Sequence, residues 1–473
     1  METRTDRDLE VALSGGGLRA AAFGLGVLLY LVHSGLNKRV ATIASVSGGS
    51  ITNGYVASRC DFGKVAFEDF RPIAAQLAQT FSGKGRYRGF RLWSWPPSVA
   101  LGITAVLLLI WLITIVVPLL VRFHWKMPLP LASGVEWLAF FMIALVWATL
   151  ILNRDYPVQR WIRWTFFRPR RLRLALQPAL SVDHVFCTTD LTSGCPLFYS
   201  TNGGGRIFSP RYGRGQGGDV YLDEAVARSA AFPPLISPAS ILLSDRQFTG
   251  PQKDRPPKAW LTDGGVWNNL GTDWHNLRSS VVAAETAWIE QASRAKPADA
   301  EARARADCPS SAVLLIANAS KPEQMNEFLG PLLKTPGLSV VVTAARVLSV
   351  SVTSIITGRV DEILRVVQRE RVSGQADPVV VPMIRRPDSD PLPGEANLSA
   401  VDLEAVRALR QLWESDEVVA TTFNNIGREK TLLLIVRGYL NTRRVMTGKF
   451  GDVSAAVPSR DWFESLVPSS SPG

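Results

Sequence analysis

The chain has 473 residues, of which 47% are apolar and 20% charged, with a mean hydropathy of +0.10. That composition excludes a disordered or fibrous protein and allows a full-sized core with two or three ordinary domains. Lys and Arg exceed Asp and Glu by 52 to 41, but residues 84–173 hold 13 bases and 2 acids, leaving 39 of each elsewhere. That basic stretch is also the most apolar in the chain, which favours a membrane partner and argues against nucleic acid.

In chain order, residues 9–13 (LEVAL) read as a short buried strand running into Ser14-Gly15-Gly16-Gly17, and residues 20–32 as a helix packed on a sheet. Three successive glycines permit unusual backbone angles, and their amides at a helix start seat negative charge. No GK[ST] closes the loop and no G-x-G-x-x-G spacing is present, so neither a Walker loop nor a dinucleotide fingerprint is written here. Residues 42–46 (TIASV) read as a second strand entering Ser47-Gly48-Gly49-Ser50 and a following helix. A serine on a sharp strand-to-helix turn between small residues has the form of a nucleophile elbow, with Ser45 where G-x-S-x-G carries its first glycine.

Residues 98–121 are 24 consecutive uncharged residues, against the ~20 needed to cross a bilayer. A second apolar run covers 131–152 and contains Glu136, which leaves a re-entrant or interfacial segment as an alternative there. Eight of the 14 tryptophans fall between Trp93 and Trp164, mostly flanking the two runs. Arginines and lysines gather before the first run and after the second, while the connection carries only Arg122 and Lys126. The positive-inside rule therefore puts both flanks in the cytoplasm. The following WIRWTFFRPRRLRLAL alternates aromatic and basic residues and is expected to lie against an anionic membrane surface.

Beyond the hairpin, VFCTTDL is a strand, and GGGRIFSPRYGRGQGG (203–218) reads as a loop. WLTDGGVWNNLG is a strand ending in Asp263-Gly264-Gly265 and an Asn-rich turn. A serine nucleophile needs a base. Of His33, His124, His184 and His275, only His275 follows an acid in the Ser, Asp, His order, with twelve residues separating it from Asp263. A triad through His275 and a direct carboxylate contact from Asp263 are the two options. Cys60, Cys187, Cys195 and Cys308 show no ligand spacing and read as buried or idle thiols. Residues 310–317 and 379–384 read as strands, 338–372 as an amphipathic helix, and 400–413 and 431–440 as packing helices.

In their order, these blocks resemble the patatin-like phospholipase family. SGGGLRA is similar to its oxyanion loop, with Ser14 and Ala20 as departures; SVSGG resembles its nucleophile elbow and DGG its catalytic aspartate. CTTDLTSGCPLFYS and LDEAVARSAAFPPLISP resemble two further family blocks. The resemblance implies an α/β three-layer sandwich with a central, mostly parallel sheet, interrupted by the two-helix transmembrane hairpin. Its parts would be 1–90 (first part of the catalytic core), 91–175 (hairpin and basic segment) and 176–473 (second part with a helical extension).

It further implies a Ser47–Asp263 dyad hydrolysing lipid esters without metal or organic cofactor. Gly15, Gly16 and Gly17 would form the oxyanion hole, and Arg19 would either orient that loop or bind lipid phosphate. The expected protein is a membrane-anchored lipid acyl hydrolase with its catalytic domain in the cytoplasm. A catalytically spent lipid-binding scaffold and an acyltransferase using the same dyad are the alternatives.

Overall fold

The computed structural model describes residues 7–83, 155–168, 171–176, 180–233, 236–250, 255–275, 277, 313–319, 377–382, 400–413, 419, 424–450 and 456–468. Both apolar runs of the expected hairpin and the expected helix 338–372 lie outside them. Among the described residues no helix is long and apolar enough to cross a membrane.

Two parallel crossovers begin one half of a central sheet. β1 (Leu9–Leu13) leads through α1 (Gly17–His33) to β2 (Val40–Ser45), which leads through α2 (Gly48–Ala57) and α3 (Phe67–Ser82) toward β3 (Asp183–Asp190). β9 (Val313–Asn318) and β10 (Asp377–Pro382) complete this half, in the order β10-β9-β1-β2-β3, all parallel. The strands are buried on both faces, as a doubly covered parallel sheet requires, and mostly apolar, with Glu10 of β1 and Thr42 and Ser45 of β2 as buried polar exceptions.

The other half is antiparallel, so the sheet is mixed rather than mostly parallel. β4 (Cys195–Ser200), β5 (Arg206–Ser209) and β6 (Gly213–Gln216) follow β3 as successive hairpins. The connections here are a few residues long and glycine-rich, too short for the helical crossover that a parallel neighbour needs. After α5 (Leu222–Ser229), β7 (Ala239–Leu242) pairs with β8 (Lys258–Asp263), and β8 pairs antiparallel with β3. A short α6 (Gly265–Asn268) follows.

Alternation along the strands splits the core. Leu9, Val11 and Leu13 join the large cluster built with α1, α2 and α3, whereas Ala12 packs with Leu270, Leu314 and Ile316 on the opposite face. α1 is buried from Gly17 to Val32 because α8 (Arg428–Phe450) covers its remaining side. The two helices approach closely: a Cβ on Gly26 would fall 2.1 Å from the Ile435 carbonyl oxygen, and one on Gly438 2.2 Å from that of Phe23. α7 (Ala400–Trp413) is tied on by the Trp413 indole donating to Asn441, whose amide donates in turn to the Pro382 carbonyl. α9 (Arg460–Leu466) caps this layer with Phe463 against Tyr439.

The basic aromatic segment begins in a helix, α4 (Asp155–Phe166), one face of which is docked on the protein. Trp161, Ile162 and Phe166 are in the protein core, and Arg171 pairs with Asp223 and Glu224 of α5. Apolar positions clustered on one helix face pack on the protein, and Arg171 finds carboxylates, while Arg160 and Arg168 lie against the exposed Trp164 ring.

Candidate active site

β2 ends at Ser45, and the chain turns sharply at Ser47, the residue before α2. Ser47 has φ 50° and ψ −116°; Gln247 is the only other non-glycine with positive φ among the described residues. A strained, buried serine between a strand and a helix N-terminus is the geometry of an elbow. The turn depends on its glycine neighbour: a Cβ on Gly48 would lie 1.9 Å from the Gly17 carbonyl oxygen. The glycine loop and the elbow are thus in backbone contact. A Cβ on Gly15 would come within 3.2 Å of that of Ser47.

The sheet register brings the acid to the same place. β2 flanks β3 only as far as the pair Ser45 and Phe186; from Thr188 onward the same edge of β3 is taken by β8, with Asp263 opposite Thr188. Where β2 leaves to make the elbow, β8 arrives and ends in Asp263. The C-terminus of α5 closes the gap, because the Ser229 carbonyl accepts from the amides of both Ser47 (3.2 Å) and Gly264 (3.4 Å). The Ser229 hydroxyl also accepts from the Ser47 amide at 3.2 Å, exchanges a hydrogen bond with Ser50 and donates to the Cys187 carbonyl.

A family assignment follows from residues 11–273, which match the model of the patatin-like phospholipase family over more than half of the chain. The chain belongs to the patatin-like phospholipases. No curated protein matches it. Among solved structures it is similar to human GIVD cytosolic phospholipase A2, at 11% identity and a TM-score of 0.44, covering 98% of this chain and 60% of that one. It is also similar to VipD from Legionella pneumophila, at 12% identity and a TM-score of 0.31, covering 94% and 67%. The chain therefore spans about three fifths of the human phospholipase chain.

In this patatin-like site Asp263 is 1% exposed, and burial pushes its carboxyl up to about 7. Two groups oppose that rise. The Gly265 amide donates to Oδ1 at 2.7 Å, and the Ser47 hydroxyl lies near enough to favour the charged form without completing a hydrogen bond. Oδ2 holds no hydrogen bond among the described residues. The backbone on either side is fixed: the Asp263 amide donates to the Ala231 carbonyl, and the Asp263 carbonyl accepts from the Thr189 hydroxyl.

The glycine loop departs in one respect from the expected three-amide oxyanion set. The Gly15 amide is already committed to the Asn269 carbonyl at 2.9 Å. No acceptor among the described residues takes the Gly16 or Gly17 amide, and both lie at the N-terminus of α1, where the helix dipole favours an anion. Ser14, one of the departures from the family pattern, holds the loop by its hydroxyl, which accepts from the Ala319 amide at 2.8 Å. Arg19 is buried, with burial pulling its guanidinium down to about 10; Nη1 donates to the Val419 carbonyl, and the side chain lies over Gly16.

The three described histidines are engaged elsewhere. His275 pairs with Glu10, His184 with Asn53 (2.7 Å), and His33 with the Tyr439 hydroxyl (2.5 Å). Asp263 and His275 do not form the acid–base pair of a triad. His184 is buried and pulled down to about 4, neutral at any physiological pH. No group of three or more metal-ligating side chains is assembled among the described residues. Cys60, Cys187 and Cys195 are free thiols, with burial raising the first two.

Two site residues escaped the sequence reading. Ser229 lay inside a block noted only for its small residues. Asn269 lay in the Asn-rich turn, and its Oδ1 occupies the space between Gly15 and Gly265, so that a Cβ at either would fall within 2.6 Å of it. The signal for both was a polar residue at a fixed offset from Asp-Gly-Gly or from the Ala/Ser helix. Only the packing gives that offset a meaning.

Proposed function

We propose that this chain is a membrane-anchored serine acyl hydrolase that cleaves ester-linked acyl chains of phospholipid or lysophospholipid with a Ser47–Asp263 dyad. Membership of the patatin-like phospholipases supports the substrate class. The observation that carries the mechanism is the shared Ser229 carbonyl, which fixes the strained serine turn and the Asp263 turn to one acceptor.

In the reaction, the Ser47 hydroxyl attacks the acyl carbonyl while its proton passes to Asp263 Oδ2. A carboxyl poised near neutrality suits that transfer, since a base works best when its pKa is close to the operating pH. The tetrahedral oxyanion is held by the Gly16 and Gly17 amides; a donor of this kind is worth about 2.7–4 kcal/mol of transition-state stabilisation. Collapse expels the alcohol of the lyso-product, which takes the proton from Asp263. Water then attacks the acyl-serine, giving its proton to Asp263, and the regenerated serine takes that proton back as the fatty acid leaves. No metal or organic cofactor enters this scheme.

The anchor in this proposal is the hairpin of residues 98–121 and 131–152, with the catalytic domain on the cytoplasmic side. It keeps the site beside insoluble substrate.

The test is fluorophosphonate labelling and lipid-panel hydrolysis by the detergent-solubilised chain. Labelling at Ser47, with turnover abolished in Ser47→Ala, is the expected result. Undiminished hydrolysis by Ser47→Ala would sink the proposal.

A further inference from the structure

Four large apolar side chains are exposed among the described residues: Trp260 (51%), Leu191 (49%), Leu242 (46%) and Trp164 (42%). Trp164 lies on α4 against the guanidinium groups of Arg160 and Arg168. The other three share one strip. Ser240 pairs with Trp260 and Leu242 with Lys258 across β7 and β8, so these four side chains lie on one face of the ladder, and all four are exposed. Leu191 continues the strip past the end of β3, its amide donating to the Trp260 carbonyl at 2.8 Å.

The strip is contiguous with a cleft of about 690 Å³, whose lining includes Ser240, Leu242 and Lys258. The cleft carries the cations Arg228, Arg246 and Lys258 and the acids Asp219 and Asp245. Arg246 pairs with Asp219, and Arg228 meets the Tyr199 hydroxyl and Glu224. Lys258 has no ion pair among the described residues, and Arg246 Nε is buried without a hydrogen-bond partner. With Asp219 and Glu224 taken by Arg246 and Arg228, and Asp245 accepting from the Ser244 hydroxyl, the Lys258 ammonium and the buried Arg246 Nε are the donors left to meet an anionic, oxygen-rich group. The apolar strip beside it suits the hydrocarbon boundary next to such a group, where tryptophan is favoured.

Position connects this face to the chemistry. β8 begins beyond the end of β3 and runs antiparallel along it to Asp263. Trp260 stands three residues before that carboxylate, roughly 10 Å along an extended strand. Arg228 in the cleft directly precedes Ser229, which holds the Ser47 amide.

We infer that the outer face of β7 and β8, with Leu191 and the Arg228–Arg246–Lys258 cleft, is a docking surface for an anionic phospholipid bilayer. A phosphate-bearing headgroup enters the cleft, while Trp260, Leu242 and Leu191 enter the interface. This deepens the acyl-hydrolase reading by naming the surface that meets lipid, and it is a different surface from the basic helix α4.

The test is hydroxyl-radical footprinting of the full chain carrying Ser47→Ala, so that the readout does not depend on turnover. The protein is reconstituted in vesicles of phosphatidylcholine alone or mixed with phosphatidic acid, and compared with detergent micelles. Oxidation of Trp260, Leu242 and Leu191 should fall several-fold in the phosphatidic acid vesicles. Lys258→Glu should reverse at least about fivefold of that protection, one basic contact being worth about 1 kcal/mol at such a surface. Equal oxidation in both vesicles and micelles would overturn the inference. So would protection already complete in lipid-free micelles and lost on dilution, which would assign the strip to a second copy of the chain. In the active protein, Trp260→Ser combined with Leu242→Ser should slow hydrolysis of vesicle phospholipid about tenfold while sparing a soluble short-chain ester. An equal loss on both substrates would refute the docking role.

Discussion

Replacing Asp263 with Asn separates what the buried carboxylate costs the fold from what it does for the reaction. Burial raises this group from 3.8 to about 7. A carboxyl whose folded pKa is raised stabilises the fold fully below pH 3.8, and that stabilisation is lost as pH rises through 7. Three units at about 1.4 kcal/mol each make the penalty on the order of 4 kcal/mol at pH 8. Asn keeps the Gly265 bond through Oδ1 and carries no charge, but its amide nitrogen sits where Oδ2 had no donor to satisfy, at a cost of about 1–3 kcal/mol.

Asp263→Asn should therefore be more stable than the wild-type chain at pH 8, by about 1–3 kcal/mol, and less stable at pH 4. Urea unfolding at a series of pH values reads this crossover. Activity should move the opposite way. The variant should lose on the order of 10²–10⁴ in kcat/KM, the usual worth of a general base. Wild-type kcat/KM on a soluble ester should fall about tenfold per pH unit below about 7 and level off above it. A stability difference independent of pH, or a rate profile flat down to pH 5, would refute the assignment of a buried, raised carboxyl as base.

Further outcomes follow from the same contacts. Gly48→Ala should abolish activity and destabilise the fold, since its Cβ would meet the Gly17 carbonyl at 1.9 Å; wild-type turnover in the purified variant would contradict the close contact of loop and elbow. Ser229→Ala removes the hydroxyl at the Ser47 amide and its bonds to Ser50 and Cys187, so kcat should drop about tenfold with KM unchanged, each neutral hydrogen bond being worth about 0.5–1.5 kcal/mol. A matching rise in KM would place Ser229 in substrate binding instead. His275→Gln breaks the pair with buried Glu10 and should lower the unfolding temperature while leaving kcat/KM within about threefold, whereas loss of activity in the folded variant would revive a triad.

The local chemistry was legible in the sequence because it is steric. Ser14-Gly15-Gly16-Gly17 and Ser47-Gly48-Gly49 each state that backbone must approach backbone, and the structure presses the two segments together at Gly48 and Gly17. Strands 9–13, 310–317 and 379–384 were readable within a few residues from apolar runs, as were the helices at 400–413 and 431–440. The apolar run at 431–440 marks only the buried middle of α8, whose polar first and last turns carry no comparable signal. In the basic aromatic segment, amphipathicity specifies an apolar partner without saying whether it is lipid or protein, and only the fold puts Trp161, Ile162 and Phe166 in the protein core.

The sequence by itself determined a glycine loop, a serine turn and an Asp-Gly-Gly turn, each dictated by contacts within a few residues. It also determined the charge-free run at 98–121 and the apolar run at 131–152, which Glu136 interrupts. Only the tertiary structure decided which of these meet. β3 exchanges β2 for β8 as its neighbour within two residues, which places Ser47 and Asp263 at one edge, and the Ser229 carbonyl joins them from a third segment. It also withdrew Gly15 from the free amides and His275 from any triad by giving each another partner. Such choices depend on strand register and on hydrogen-bond competition across more than 200 residues of chain, and no local pattern encodes them.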